Sequence, residues 1–203
     1  MAFEREKLKA LVLHVCSECD LSRLGAVKLH KVLYFVDMLR YADAGQSVTG
    51  STYRKRPLGP TCDQLPSVLG ELESSGALEI KTVDYFGYMK KEYIAKVGPD
   101  TNRLSAEEVE LADEVVDFVC NANSARTISE FSHNKAWEIA DFGAVMPYFS
   151  VFNIFPVEVS KEAVDWASNE VAGIEAAGPQ PNAVDSTPYS VFRKRILQEM
   201  RGH

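Results

Sequence analysis

The sequence has 203 residues, of which 46% are hydrophobic and 25% are charged, and this composition suits one soluble domain that buries a core. No run approaches the roughly 20 apolar residues of a membrane-spanning helix, and the first residues lack a secretory signal, so we expect a cytoplasmic protein with no membrane partner. A formal net charge of -7 disfavours general nucleic-acid binding.

The charge is uneven along the chain. Residues 23–60 contain seven Lys or Arg and two Asp, a local +5, whereas the rest carries 15 basic and 27 acidic groups, or -12. This asymmetry predicts a basic region that could orient a charged partner.

Two amphipathic helices are predicted first. Residues 3–16 carry an apolar stripe with charges on the other side, and residues 24–41 carry a wider stripe that indicates the central helix. Gly45 is expected to cap the second helix. The stripe residues are Leu8, Leu11, Val12 and Val15 in the first helix, and Leu29, Val32, Leu33, Val36 and Leu39 in the second.

Residues 47–60 mix β-branched and aromatic residues with Gly and Pro, which predicts a short strand and a turn. Asp63 is expected to cap a third helix that ends at Gly76, with Pro66 in its first turn. Residues 77–82 and 92–97 are β-prone and predict a hairpin with a wide tip over residues 84–88.

Two capping boxes predict the starts of further helices, one from Ser105 to Glu108 and one from Thr127 to Glu130. Residues 142–155 are so rich in apolar side chains that we expect them to close over the core. A helix over residues 160–172 is expected to end a domain spanning residues 1–172. A linker over residues 173–188 and an amphipathic C-terminal helix over residues 189–203 would follow. The predicted fold class is therefore α+β: a mostly helical single domain with a small antiparallel sheet or hairpin.

Several blocks of the sequence occur in an order typical of one family. The run from Lys28 to Asp37 reads Lys-Leu-His-Lys-Val-Leu-Tyr-Phe-Val-Asp, and it is followed by a Thr-Gly-Ser-Thr-Tyr block ending at Tyr53, by Gly59-Pro60, by Leu104-Ser105, and by Ser132-His133 with Trp137. Together these blocks resemble the Panacea-domain, SocA-like antitoxin family over about residues 5–140. Ordered blocks are more specific than any single one.

The resemblance implies a helical domain with a small antiparallel sheet that binds a cognate protein toxin encoded beside it. Neutralisation would follow from direct binding or from delivery of the toxin to a Clp-type protease, and prophage association is typical of such proteins. The toxins paired with this family are of several unrelated types.

Nine residues are candidates for the partner-binding surface. Lys31, Tyr34 and Asp37 follow one edge of the central helix beside its apolar stripe, although the lysines could equally be solvated and Asp37 paired on its own helix. Tyr53 offers a ring and a hydroxyl beside a Gly-Pro turn, and Arg54 begins a basic run that is either solvated or open to an acidic surface. The set is Lys28, Lys31, Tyr34, Asp37, Tyr53, Arg54, Pro60, His133 and Trp137.

His133 and Trp137 are four residues apart and would share a helix face. Because no Ser or Cys motif supplies a nucleophile for His133 to activate, we do not expect an enzyme. Cys16 and Cys19 form a Cys-x-x-Cys, but Cys62 and Cys120 are isolated in the sequence and no second ligand pair completes a zinc site. We therefore expect free thiols, no metal and no cofactor.

The leading prediction is an antitoxin-like protein. The alternative is a DNA-binding regulator, in which the hairpin forms a wing and the basic runs at residues 54–56 and 90–91 contact phosphate. DNA is otherwise expected only as a secondary, autoregulatory partner.

Overall fold

The computed structural model describes residues 2–100 and 102–154. Within these residues the chain is mostly helical with two small antiparallel sheets, which confirms the predicted α+β class. The predicted helix over 160–172, the linker and the C-terminal helix lie outside the described residues, so the domain boundaries stay predictions. The elements are α1 (Arg5–Glu18), α2 (Ala26–Ala44), β1 (Tyr53–Arg54), β2 (Thr61–Cys62), α3 (Leu65–Ser74), β3 (Leu78–Tyr85), β4 (Tyr88–Ala95), α4 (Ala106–Val116), a π-helical turn (Asp117–Ala122), α5 (Ala125–Phe131), α6 (Lys135–Ile139), β5 (Val145–Met146) and a 3-10 helix (Tyr148–Asn153).

Helix α2 forms the centre of the molecule, as its wide apolar stripe predicts. It contacts α1, α4, α5, β2 and the 3-10 helix, so nearly its whole circumference is covered. It ends where Gly45 adopts a left-handed conformation with φ 70° and its N–H bonds to the carbonyl of Tyr41, which confirms the predicted cap. The predicted α1 stripe is fully buried against it.

The three-stranded sheet has the order β2-β1-β5 and is antiparallel throughout. Tyr53 pairs with Cys62 on one side and with Met146 on the other. The sequence indicated a strand near Tyr53, but not that a strand beyond residue 140 would join it, because a two-residue strand carries no readable periodicity.

The second sheet is the β3–β4 hairpin, and its tip differs from the prediction. Tyr85 pairs with Tyr88, so the turn contains only Phe86 and Gly87, both with positive φ. The prediction of a wide tip was wrong, because a two-residue turn with positive φ at both residues matches the twist of the two strands. The N–H of Gly87 also donates to Asp84 Oδ1 at 2.9 Å.

The predicted capping box at Ser105 and Glu108 is confirmed, with both reciprocal hydrogen bonds present. The second box is wrong, because α5 begins one turn earlier with Ser124 as its cap and Thr127 donates its N–H to that side chain. A cap at Asp63 is also wrong. Gln64 occupies the cap position of α3, and the Asp63 carboxylate is bound by Arg54 instead.

Candidate protein-binding surface

The predicted polar edge of α2 lies inside the protein. Tyr34 and Asp37 are completely buried, and Lys31 is 1% exposed. The alternative of solvated lysines with Asp37 paired on its own helix is therefore wrong for Lys31 and Asp37. The reason lies in the tertiary structure, because elements that follow α2 in the chain pack against its polar edge as well as against its apolar stripe.

Asp37 is the acceptor at the centre of a buried polar group that we call the Asp37 cluster, comprising Asp37, Thr49, Ser51, Tyr53 and Tyr148. Thr49 donates its backbone N–H to Asp37 Oδ1 at 2.7 Å and its hydroxyl to Oδ2 at 2.5 Å, while the Tyr53 hydroxyl lies 2.7 Å from Oδ2. Burial raises the pKa of Asp37, and the hydrogen bonds from Thr49 and Tyr53 oppose that rise. The carboxyl group thus ties the loop after α2, and strand β1, to the central helix.

Tyr53 and Tyr148 make further contacts in the Asp37 cluster. The Tyr53 hydroxyl is also 2.8 Å from the carbonyl oxygen of Leu33, and its ring packs edge-on against Tyr34 with centroids 5.4 Å apart. The Tyr148 hydroxyl donates to the carbonyl of Ser51 at 2.6 Å. Three segments that are distant in sequence therefore converge on one carboxyl group.

Lys31 anchors the Gly59-Pro60 turn to helix α2. Its Nζ donates to the carbonyl of Pro60 at 3.0 Å, and burial lowers the pKa of this lysine to about 7. Gly59 has φ 91°, and a Cβ at this position would come within 2.2 Å of Ser132 Oγ and 2.5 Å of Lys31 Nζ. Only glycine fits this clamp between α2 and the end of α5.

The basic run of residues 54–56, which begins at the end of β1 and which we call the basic turn, is neither freely solvated nor a simple patch. Arg54 binds Asp63 at 2.6 Å and the carbonyl of Gly143 at 3.1 Å. Lys55 donates to the carbonyl of Ala140 at 2.9 Å and lies 4.0 Å above the Trp137 ring. Arg56 is exposed. The first two cations therefore fix the segment that follows α6, and the third faces solvent.

His133 and Trp137 do come together, although not on one helix as predicted. Their rings stack with centroids 3.9 Å apart and an interplanar angle of 16°. Helix α6 begins at Lys135 with Asn134 as its cap, so His133 precedes the helix. Desolvation, with smaller effects of Lys31 and Lys55, lowers the pKa of His133. The Trp137 indole donates to the carbonyl of Arg56 at 3.2 Å, which completes the contact between the basic turn and α6.

The predicted +5 region is not one patch in the structure. Arg40 pairs with Asp43 and Glu107, and Lys31 is buried. Lys28 is 6% exposed and donates to the carbonyl of Cys120 at 3.0 Å, on a different face from the turn at Arg54. The cause is the helical geometry of α2, which distributes sequence neighbours around its circumference.

An exposed apolar surface, which the sequence pattern does not reveal, adjoins the basic turn. Residues 142–155 were expected to close over the core, but only some do so. Met146 is buried, and Tyr148, Val151 and Ile154 point inward at the three-residue period of a 3-10 helix. Phe142 is 66% exposed and Phe149 62%. We call the exposed set the 139–152 surface: Ile139, Phe142, Val145, Phe149 and Phe152.

This surface is physically joined to the basic turn. Val145 pairs with Arg54 across the sheet, and the carbonyl of Lys55 accepts from the N–H of Gly143 at 3.1 Å. Exposed apolar side chains rimmed by charge are typical of protein-binding sites. The apolar density of residues 142–155 was a usable signal, but sequence periodicity did not separate its inward from its outward members.

Comparison with known families gives a match over the middle of the chain. The model of the "Antitoxin SocA-like, Panacea domain" family matches residues 29–138, which is more than half of the chain. The chain belongs to this family. This confirms the predicted resemblance and supports an antitoxin-like role. No curated protein and no solved structure matches the chain.

The Panacea match begins in α2 and ends in α6. It includes the Lys31 clamp, most of the Asp37 cluster and the His133–Trp137 stack, and it stops just before the 139–152 surface. In this Panacea domain the matched blocks therefore coincide mainly with buried contacts. Partner binding by the nine candidate residues remains a prediction.

Metal and membrane features can be stated for residues 2–100 and 102–154. In these ranges no group of three or more metal-ligating side chains occurs, and none of the helices is long and apolar enough to cross a bilayer. All four thiols are free, as predicted, and buried. Cys120, which is isolated in the sequence, lies beside Cys19 in the fold, and a hydrogen bond between the two lowers the pKa of Cys19.

Proposed function

We propose that this Panacea-domain protein binds a cognate protein toxin, encoded beside it, and thereby neutralises that toxin. Family membership supports the antitoxin-like role. The observation that carries the binding proposal is the 139–152 surface, where large apolar side chains stand in solvent beside a basic turn. Such a surface favours a partner that offers an apolar face of its own, because aromatic side chains buried at the centre of an interface supply much of its binding energy.

The candidate residues divide into two roles under this proposal. Arg54, His133 and Trp137 are partly accessible and border the toxin contact. Lys31, Tyr34, Asp37, Tyr53 and Pro60 are buried and act as positioning residues, since they hold β1 and the Gly59-Pro60 turn. Lys28 lies apart, beside the carbonyl of Cys120, and takes no part in this surface.

The test is co-expression of the chain with the product of the adjacent gene. We expect the adjacent gene alone to arrest growth, the pair to grow, and the two proteins to copurify. Phe142→Ser with Phe149→Ser should weaken the complex by about tenfold or more, because buried aromatic anchors dominate interface energy. Val97→Ser, another exposed apolar residue at 50% exposure, is the matched control and should leave binding unchanged.

Three outcomes would contradict the proposal. The adjacent product could fail to arrest growth or to copurify with the chain. The Phe142→Ser, Phe149→Ser variant could bind the toxin as tightly as the wild type. It could also lose stability or change oligomeric state while keeping toxin affinity, which would assign the 139–152 surface to another part of the same chain or to a second copy.

We propose direct binding as the step common to blocking the toxin and to delivering it to a Clp-type protease. The toxin half-life in cells with and without the protease separates the two routes. A half-life that lengthens several-fold without the protease, and only when the chain is present, identifies delivery. An unchanged half-life with full rescue of growth identifies blocking.

A further inference from the structure

A recess lies between the start of α2, the β3–β4 hairpin near its tip and the turn before α5. It has a volume of about 990 Å³ and is lined by residues drawn from 22–28, 85–91 and 120–125. We call it the α2 groove. Its size suits several side chains of a peptide.

The groove has a strongly one-sided charge in a chain whose net charge is -7. Arg23, Lys28, Lys90 and Lys91 line it, and no Asp or Glu is among its lining residues. Two carboxylates lie beside the lining: Glu92 is 3.6 Å from Lys90, and the pKa of Asp20 is lowered by hydrogen bonds from Ser22 and, to a smaller extent, by the charges of Arg23 and Lys90. Burial, and to a smaller extent the charges of Arg23 and Lys90, lower the pKa of Lys28. The cations therefore repel one another, and an anion in the groove would relieve that repulsion.

Three of the cations are held in place by neutral oxygens. Lys28 donates to the carbonyl of Cys120 at 3.0 Å, Arg23 to Asn121 Oδ1 at 3.2 Å, and Lys90 to the carbonyls of Leu21 and Ser22 at 2.7 Å each. These neutral oxygens fix Lys28 and Arg23 without cancelling their charge, whereas Lys90 also pairs with Glu92. A ligand would thus meet donors that are already ordered, which reduces the entropic cost of binding.

The start of α2 adds backbone donors to this charge. Gly25 caps the helix without a side-chain hydrogen bond, and Ala26 and Val27 line the groove. The first N–H groups of a 19-residue helix carry partial positive charge. This partial positive charge adds to that of the cationic side chains that line the groove, and together they favour a carboxylate ligand.

The rim of the groove is apolar. Tyr85 and Met89 line it, and Met89 and the adjacent Phe86 are 74% and 86% exposed. A free phosphate would leave this rim in solvent. A nucleic-acid backbone needs a track of accessible cations, whereas Lys28 is 6% exposed and Lys90 is committed to two carbonyls. A ligand that combines carboxylates with apolar side chains matches both the cationic lining and the apolar rim of the groove.

We propose that the α2 groove binds an acidic, partly apolar peptide segment of a partner protein, with carboxylates on Arg23, Lys91 and the start of α2 and apolar side chains on the hairpin tip. This inference is independent of the toxin complex, because it concerns other residues and can be tested with synthetic peptides alone.

The experiment uses the full chain and a fluorescein-labelled peptide pool that alternates Glu with Leu, Phe or Val. Fluorescence anisotropy at about 150 mM salt should show saturable binding, and a matched pool with Gln in place of Glu should bind at least about tenfold more weakly. In ¹⁵N-labelled protein, the amide signals of Ala26 and Val27 should shift on titration with the Glu pool.

The double variant Arg23→Glu, Lys91→Glu should bind the Glu pool about tenfold or more weakly than the wild type does. Both side chains are exposed, so the fold should survive. Lys81→Glu, on the same hairpin but outside the groove, is the control and should stay within about twofold. Absence of saturable binding, or equal affinity in the double variant and the control, overturns the proposal. Single-stranded DNA that binds more tightly than the Glu pool at this salt, and is lost in the same double variant, reassigns the groove to nucleic acid and also overturns it.

Discussion

The Asp37 cluster and the 139–152 surface invert the usual distribution of polar and apolar side chains. The first places a carboxyl group and several hydroxyls in the core, and the second leaves aromatic rings in solvent. They meet in consecutive residues: the Tyr148 hydroxyl reaches into the cluster, while the Phe149 ring faces outward. The contrast indicates that polar residues in a family block can fix the fold, and we propose that binding depends on the apolar side chains beside them.

The largest expected effect is at Asp37. Asp37→Ala removes the acceptor for the Thr49 N–H and hydroxyl, and leaves these donors buried. We expect a loss of about 3 kcal/mol or more in the free energy of unfolding, measured by urea denaturation. Asp43→Asn, which alters a half-buried ion pair with Arg40, should cost less than about 1 kcal/mol. Equal losses in the free energy of unfolding in the two variants would show that the Asp37 cluster contributes no more to stability than a half-buried ion pair does.

Gly59→Ala should come next. The new Cβ would collide with Ser132 Oγ and Lys31 Nζ at a residue with φ 91°, so a loss of about 2 kcal/mol is expected. Gly70→Ala is the matched control, because Gly70 lies within α3 and nothing approaches its Cβ position within 4 Å. That change should raise stability by about 0.5–1 kcal/mol. Thermal denaturation of both variants checks the pair, and a neutral Gly59→Ala would argue against the clamp.

Lys31 gives a pH dependence of opposite sign to that of Asp37. Because burial lowers the pKa of Lys31 to about 7 from 10.5, the unfolded chain holds more protons between these values. Its contribution to stability therefore rises as the pH increases from 7 to 10.5. The pKa of Asp37 is raised from 3.8, so above that pH the folded protein holds more protons than the unfolded chain. The contribution of Asp37 to stability therefore falls as the pH rises.

Lys31→Met isolates the lysine effect. The wild type should gain on the order of 2 kcal/mol relative to this variant between about pH 7 and pH 9.5. Urea midpoints of both proteins at the two pH values provide the measurement. Parallel pH profiles would mean that Lys31 keeps an ordinary pKa in the folded protein.

The smallest stability effect is expected on the 139–152 surface. Phe142→Ser with Phe149→Ser removes rings that are mostly in solvent, so the free energy of unfolding should change by less than about 1 kcal/mol, although toxin binding is expected to fall. A urea denaturation curve that shifts as far as that of Asp37→Ala would remove the contrast between the two regions.

Much of the local structure could be predicted because its causes lie within one turn of the chain. The Ser105 capping box, the Gly45 cap and the apolar stripes of α1 and α2 depend on residues three or four positions apart. The family blocks could likewise be found by order and spacing, and the family match confirms them. Errors arose where two local signals competed, as with Ser124 and Thr127 at the start of α5.

The sequence by itself thus determined the family, the mostly helical class and the identity of the central helix, since these follow from local patterns. Only the tertiary structure decided that Lys31, Tyr34 and Asp37 are core residues, that β5 joins β1, and that Phe142 and Phe149 stay outside. Burial depends on which distant segments cover a given face, and in a central helix even a polar edge can be covered. The α2 groove has the same origin, because it combines three segments that are separate in sequence.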